Sequence, residues 1–330
     1  MEQRIKERFS DDILQATMRQ YAIAPGQIKL LDGFESFMYE FTRPDGDYIL
    51  RIGHSLRRSE ALIQGEVHWI NYLAAGGAGV ARAILSEDGR LVVPVADGHG
   101  GHFLATAFVK APGGSAWEMG QWHEPLFERY GRLLGRMHRL SRAYVPSPAG
   151  TRPHWDDPIM LFAMNWLPPE DGFIETQYRQ LLANLRRLPR SRETYGLIHQ
   201  DAHGGNFFVD VAGQITLFDF DDCVYSWYAN DVAIVLFYAV TNRPDADTFG
   251  QNFMRHFLRG YRQESELSAE WLAQFPHFLK LREMDLYAVI HRSFDVDNLT
   301  DDWVRQFMAG RRERLQQSVP YVALDWAALA

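Results

Sequence analysis

The stretch from residue 197 to residue 222 constrains the fold more than any other part of the sequence. Apolar triplets flank a polar segment that contains a glycine pair, and a second polar turn follows at Ala212-Gly213. This pattern predicts a strand, a loop, a second strand, a hairpin turn and a third strand. Four polar residues lie at the predicted strand ends, where their side chains can converge: His199, Asp201, Asn206 and Asp219.

These four residues follow the order H-x-D-x-x-x-x-N, with the last Asp in an apolar strand. The set resembles the catalytic loop and metal-binding Asp of the protein-kinase-like phosphotransferases. In that template the loop Asp orients the acceptor hydroxyl and takes its proton, while Mg²⁺ binds carboxylate or amide oxygens and nucleotide phosphates. The resemblance implies that Asp201 is the base, that Asn206 and Asp219 hold the metal, and that His199 braces the loop by hydrogen bonding.

A purely structural interpretation of the same residues is the alternative. Asp201 and Asn206 are common turn formers, and Asp219 would then simply end a strand. The combination of all four residues, in this order and between these strands, favours the catalytic interpretation.

Composition limits the class of protein. A chain of 330 residues suits two lobes, and its formal net charge of −8 argues against nucleic acid and anionic membrane as partners. The single cysteine, Cys223, excludes an internal disulfide and fits a reducing compartment. Residues 1–6 lack the apolar core of a signal peptide, and the apolar run 232–240 is too short to span a bilayer. We therefore expect a soluble, cytoplasmic protein; its oligomeric state stays open.

The first 110 residues predict a small antiparallel sheet with one inserted helix. A helix is expected at 11–20, β structure at 27–52 with a Pro-Asp-Gly hairpin, a helix at 58–75, and strands at 80–85, 91–95 and 103–109. This order is the layout of a kinase-like N-lobe. The composition shifts to Pro and Gly at 108–114, which we interpret as a hinge, so the predicted lobes are residues 1–110 and 111–330.

Three residues of the predicted N-lobe match nucleotide-binding positions of the template. Arg51 occupies the third-strand position normally given to Lys, and Glu66 in the following helix matches the acidic partner of that cation. Ser36 lies in a loop that would cover the phosphates, although this loop has one glycine and no G-x-G-x-x-G pattern. The alternatives are a surface Arg at a strand end, a solvated Glu and a plain hairpin.

The remainder of the chain is predicted to be mainly helical. Helices are expected at 121–140, 174–188, 248–261, 269–292 and 301–317, with Gly131 and Gly135 allowing close packing of the first. No activation segment or A-P-E sequence follows Asp222. Asp231 begins an apolar helix, either as an ordinary N-cap or as the structural Asp that steadies the catalytic loop in related enzymes.

Taken together, these features resemble the aminoglycoside phosphotransferase and choline kinase family. The resemblance implies an α+β, bilobal protein-kinase-like fold, with an antiparallel sheet and one inserted helix in the N-lobe and a mainly helical C-lobe. It also implies transfer of the γ-phosphoryl group of ATP, with GTP possible, to a hydroxyl of an aminoglycoside-, choline- or homoserine-like molecule in the presence of Mg²⁺. The acceptor itself is not readable, because acceptor pockets are built from variable helices and loops.

Two other functions are consistent with parts of the sequence. The same catalytic loop occurs in Ser/Thr protein kinases of the bacterial stress-kinase type. Arg51 and the glycine-poor loop suggest a nucleotide-binding regulator without catalysis, although the presence of both Asp201 and Asp219 argues against it.

Overall fold

The computed structural model describes all 330 residues and divides into two compact units. The first unit contains residues 1–113, 144–152 and 216–221, and the second contains residues 114–143, 153–215 and 222–330. The first continuous segment therefore ends inside the Pro- and Gly-rich stretch interpreted as a hinge. Two later segments return to the first unit, and one of them carries Asp219. No helix in either unit is long and apolar enough to cross a membrane.

The first unit contains one antiparallel sheet and three helices. Its elements are α1 (Gln3–Lys6), α2 (Asp11–Gln20), β1 (Ile28–Leu31), β2 (Phe37–Arg43), β3 (Gly46–His54), α3 (Glu60–Ala75), β4 (Ala83–Ile84), β5 (Val93–Ala96) and β6 (His102–Val109). The strand order is β1-β2-β3-β6-β4, with β5 also paired to β6. The predicted sheet with a helix inserted after its third strand is confirmed. The strand expected at 80–85 is shorter, because Val80 forms a bridge to Leu217 instead.

Side-chain alternation along β3 places Arg51 on the face of the sheet opposite the larger hydrophobic cluster. Leu50 and Ile52 are fully buried in the larger hydrophobic cluster of this unit, each contributing about 1.5–3 kcal/mol relative to exposure. Successive strand residues point to opposite faces, so Arg51 points away from that cluster, toward α3. The helix begins where Ser59 caps it, with the Ser59 hydroxyl accepting from the Leu62 amide at 3.3 Å.

The second unit is mainly helical. Its elements, with β9 at the unit boundary, are α4 (Glu124–Ala143), α5 (Phe162–Trp166), α6 (Gly172–Leu185), β7 (Tyr195–Ile198), β8 (Phe207–Val209), β9 (Ile215–Leu217), β10 (Val224–Trp227), α7 (Tyr228–Val240), α8 (Ala246–Tyr261), α9 (Ala269–Leu272), α10 (Phe275–Ser293), α11 (Asp302–Met308) and α12 (Arg311–Gln316). The three strands predicted around the catalytic loop are present. A fourth strand, β10, was missed; it pairs antiparallel with β7.

Two predicted helices are each divided in two. The helix expected at 269–292 restarts at Phe275, because Pro276 lacks an amide hydrogen and is favoured in a first helical turn. The helix expected at 301–317 is interrupted by Gly310, whose φ of +63° is left-handed.

Glycines allow α4 and α8 to approach closely, as the sequence predicted. A Cβ on Gly131 would overlap the carbonyl oxygen of Phe257, and a Cβ on Gly135 would lie 2.6 Å from the carbonyl oxygen of Tyr261. The contact buries Phe257 and Tyr261 completely. It also holds the helix from which His138 reaches Asp231.

Candidate active site

In the first unit, Arg51 and Glu66 form a buried bidentate pair. The two terminal nitrogens of Arg51 donate to Oε1 and Oε2 of Glu66, both at 2.8 Å. Arg51 is 8% exposed and Glu66 is fully buried, so the interpretations of a surface Arg and a solvated Glu are wrong. A fork-to-carboxylate contact of this kind fixes the plane of the guanidinium.

Further carboxylates lie near Arg51 in the same unit. Burial alone would lower the pKa of Arg51, but Glu66, Asp221 and Asp219 together raise it above its ordinary value. Asp219 itself has a left-handed φ of +63° and is exposed. A non-glycine residue in this conformation costs free energy that the surrounding structure must offset, which is common at functional positions.

Arg57 was not singled out from the sequence. Its guanidinium lies 2.5 Å from the Asp221 carboxylate and 3.3 Å from the Glu35 carboxylate. Burial opposes ionisation of Asp221, but Arg57, Arg58 and Arg51 hold its pKa well below the ordinary range. The loop that carries Ser36 is therefore tied by Arg57 to the segment that follows Asp219.

Ser36 lies at the end of the short segment that joins β1 to β2. It is 9% exposed, and its hydroxyl would lie 3.5 Å from a Cβ on Gly53 of β3. A Cβ on Gly33 would overlap the Ser36 carbonyl, so glycine is required there by close approach rather than by a glycine-rich phosphate loop. The phosphate contact of Ser36 stays a prediction.

In the second unit, Asp231 holds the backbone of the catalytic loop. Its carboxylate accepts from the amides of His199 at 3.0 Å and Gln200 at 2.9 Å, and lies 3.0 Å from Nε2 of His138. Gln200 has a left-handed φ of +72°, a strained conformation that these two hydrogen bonds stabilise. The ordinary N-cap interpretation of Asp231 is wrong: α7 begins three residues earlier, and Asp231 lies in its first turn.

Local contacts shape the rest of the loop. The buried ring of His199 accepts from the Asp201 amide through Nδ1 at 3.3 Å, which supports the bracing role. Asn206 donates through Nδ2 to the Asp201 carbonyl at 2.9 Å and to Asp201 Oδ2 at 3.1 Å. The Tyr130 hydroxyl donates to the Ala202 carbonyl. The side chain of Asp201 is thus linked to the loop that carries it.

The donor atoms fit a magnesium ion in their chemistry. Both hydrogen bonds of Asn206 use its NH₂ group, which leaves the amide oxygen as the atom that can bind a cation. Asp219 offers carboxylate oxygens, and both are hard ligands of the kind Mg²⁺ prefers. No group of three or more His, Cys, Asp or Glu side chains is arranged to hold a metal ion. A cation bound by either residue would therefore need further oxygen ligands, such as nucleotide phosphates and water.

Arg282 contacts the carboxylate of Asp201 and was missed from the sequence. Its Nη2 donates to Asp201 Oδ1 and to the Tyr238 hydroxyl, the latter at 2.6 Å. Burial opposes ionisation of Asp201, but the charge of Arg282, with His203, holds its pKa below the ordinary range. Arg282 lies 81 residues after Asp201 on α10, and no motif links the two positions. The only sequence signal is that charged residues interrupt a helix that otherwise carries core side chains.

Comparison with known proteins places these observations in a family context. The family model described as the phosphotransferase enzyme family matches residues 27–267, a range that contains all the site residues predicted from the sequence. The amicoumacin kinase of Bacillus subtilis (strain 168) is 38% identical over 331 residues, which cover 98% of each chain.

Solved structures agree with this relationship. The structure of the amicoumacin kinase hAmiN in complex with AMP-PNP, Ca²⁺ and Ami has a TM-score of 0.94 at 36% identity, covering 100% of both chains. A microcompartment-associated aminopropanol kinase has a TM-score of 0.74 at 22% identity, covering 94% of this chain and 98% of the other, which supports the fold.

Proposed function

The chain belongs to the phosphotransferase enzyme family and is a small-molecule kinase, and we propose that it transfers the γ-phosphoryl group of ATP to a hydroxyl of amicoumacin or a closely similar molecule. The observation that carries this proposal is the full-length similarity to an amicoumacin kinase, in sequence and in structure. Aminoglycoside, choline and homoserine acceptors rank lower. None of the relatives described above is a protein kinase or a non-catalytic regulator, so nothing comparable supports those two alternatives.

Residues of the first unit are suited to binding the nucleotide phosphates. Arg51 uses one N–H of each terminal nitrogen on Glu66, so the second N–H of each stays available for phosphate oxygens. Glu66 keeps the guanidinium in one plane, and the pair together supplies the cation that the template assigns to Lys. By resemblance to the template, we propose that Asp219 offers its carboxylate oxygens, and Asn206 its amide oxygen, to Mg²⁺. When bound, that ion would neutralise charge on the transferring phosphates.

Asp201 of the second unit is suited to orienting the acceptor hydroxyl. A carboxylate has about four lone-pair sites: Arg282 occupies one on Oδ1, whereas Asn206 and, at 3.5 Å, His203 lie against Oδ2. A hydroxyl can therefore donate to a remaining site. As the bond from the acceptor oxygen to phosphorus forms and the bond from phosphorus to the ADP oxygen breaks, the hydroxyl proton passes to Asp201. The products are a phosphate ester and ADP.

The test is ATP consumption by the purified protein with Mg²⁺, with amicoumacin as acceptor and aminoglycosides, choline and homoserine as comparison arms. We expect turnover with amicoumacin and a loss of kcat of about 10²- to 10⁴-fold in Asp201→Asn. Asp210→Asn is the matched control, because Asp210 forms a turn in which Asn is equally favourable. Tight binding of Mg-ATP without turnover of amicoumacin, or full activity in Asp201→Asn, would contradict the proposal.

A further inference from the structure

Arg282 is held on two sides within the second unit. Besides its contact with Asp201 Oδ1, it donates to the Tyr238 hydroxyl, and its guanidinium carbon lies 5.2 Å from the centre of the Tyr238 ring. Its side chain is 13% exposed. Burial would lower the pKa of Arg282, but Tyr238, Asp201 and Asp222 raise it above its ordinary value. A charged guanidinium therefore lies against the carboxylate that is proposed to receive the acceptor hydroxyl.

The two oxygens of Asp201 are held by different partners. Asn206 Nδ2 lies 3.1 Å from Oδ2, and His203 Nε2 lies 3.5 Å from the same atom, whereas Arg282 contacts Oδ1. The terminal torsion of an Asp side chain is broad and roughly two-fold, so a contact with one oxygen leaves the carboxylate plane poorly defined. Contacts with both oxygens define it.

Other contacts besides this pair hold α10 in place. Glu283 on the same helix binds Arg311 at 2.6 Å, the Tyr287 hydroxyl donates to Asp171 at 2.8 Å, and the Tyr178 hydroxyl donates to Asp285 at 2.8 Å. These contacts, and the buried apolar residues of α10, anchor the helix on either side of Arg282. Because other contacts anchor the helix, the contact between Arg282 and Asp201 can serve to orient the Asp201 carboxylate.

We propose that Arg282 is a positioning residue for phosphoryl transfer, which fixes the carboxylate plane of Asp201 so that the acceptor hydroxyl donates to it in one orientation. This inference rests on the proposed function, because it assumes that Asp201 receives the acceptor hydroxyl. A misplacement of reacting groups by about 1 Å lowers rates by about 10²-fold, so loss of Arg282 acts on kcat. Arg282 is not among the residues proposed to bind ATP or its Mg²⁺, so the KM for ATP is expected to stay unchanged.

The experiment is steady-state kinetics of Arg282→Gln with Mg-ATP and amicoumacin. We expect kcat to fall by about 10- to 100-fold, with the KM for ATP within about twofold of the wild type. Arg282→Lys keeps the charge but loses the fork, so its kcat is expected between those of Arg282→Gln and the wild type. Arg292→Gln is the matched control, since it makes the same change at an exposed position of the same helix, and its kinetics are expected to be unchanged.

A double-mutant cycle separates positioning from a structural role. If Arg282 acts through Asp201, adding Arg282→Gln to Asp201→Asn changes kcat by less than about threefold, because the two residues act as one unit. An equal further loss in the Asp201→Asn background, or a loss expressed only as a lower melting temperature, would overturn the proposal.

A failure of the positioning role can be distinguished from a failure of the proposed function. If the wild type phosphorylated no acceptor, the proposed function would fail, and crystal structures of the wild type and Arg282→Gln would decide the positioning role. The proposal expects the Asp201 carboxylate to rotate or become disordered in the variant. An unchanged carboxylate would overturn it.

Discussion

Asp285 makes a pH-dependent contribution to stability that can be worked out from its surroundings. It is 6% exposed on α10, and its Oδ1 accepts from the Tyr178 hydroxyl at 2.8 Å and from the Ala163 amide at 3.2 Å. Burial raises the pKa of Asp285 from its ordinary value of 3.8 to about 7, although the two hydrogen bonds and Arg282 act in the opposite direction. The folded protein therefore binds this proton more tightly than the unfolded chain does.

The sign of the effect follows from linkage. The contribution of Asp285 to the free energy of unfolding is complete below about pH 4 and is lost as the pH rises through about 7. One pKa unit corresponds to about 1.4 kcal/mol, so a pKa of about 7 instead of 3.8 costs about 4 kcal/mol at pH 8 and about 2 kcal/mol at pH 5. The amide oxygen of Asp285→Asn still accepts both hydrogen bonds, and this side chain never ionises.

We therefore expect the stability advantage of Asp285→Asn over the wild type to grow by about 2 to 3 kcal/mol as the pH rises from 5 to 8. The measurement is urea unfolding followed by tryptophan fluorescence at several pH values in that range. Asp88→Asn, at an exposed turn, controls for removal of one negative charge. A difference in unfolding free energy between Asp285→Asn and the wild type that does not vary with pH would refute the reasoning.

Two other substitutions test the nucleotide-binding pair and the packing of the second unit. Glu66→Gln removes the anionic partner of buried Arg51, so we expect about 3 kcal/mol of destabilisation and a higher KM for ATP, with Glu60→Gln on the same helix as the control. An unchanged KM for ATP would argue against a phosphate role for Arg51. Gly131→Ala places a methyl group on the Phe257 carbonyl, and we expect a loss of about 1–3 kcal/mol in chemical denaturation. Gly172→Ala has open space around it and is expected to be neutral or slightly stabilising, so similar results for both glycines would contradict the packing argument.

The confirmed parts of the fold depend on local sequence. The hairpin at Pro44-Asp45-Gly46, the alternation along β3 and the turn at Ala212-Gly213 are each specified by residues within a few positions of one another. The interruption at Gly310 has a local cause as well, but the apolar periodicity continues across it and the prediction followed the periodicity. The short strand β10 carries too few residues to be recognised without its partner β7.

In the candidate site, too, some residues could be predicted from short-range patterns or a family template, and others could not. The spacing of His199, Asp201 and Asn206 is short enough for the loop itself to impose it, so a template can be matched to the sequence. The pairing of Arg51 with Glu66 was predicted because the same template places a cation on the third strand and an acid on the next helix. The contact from Arg57 to Asp221 has no such template.

By itself, the sequence determined most of the order of strands and helices, the family resemblance and the candidate residues of the loop, because these depend on short-range patterns. Only the tertiary structure decided that Asp231 holds the loop from within α7, that His138 reaches Asp231 from α4, and that Arg282 contacts Asp201. The physical reason is that a buried charge is stable only beside a partner, and that partner is supplied by whichever element packs there. Such partners lie dozens of residues apart in the sequence, so short-range sequence patterns do not indicate that they come into contact.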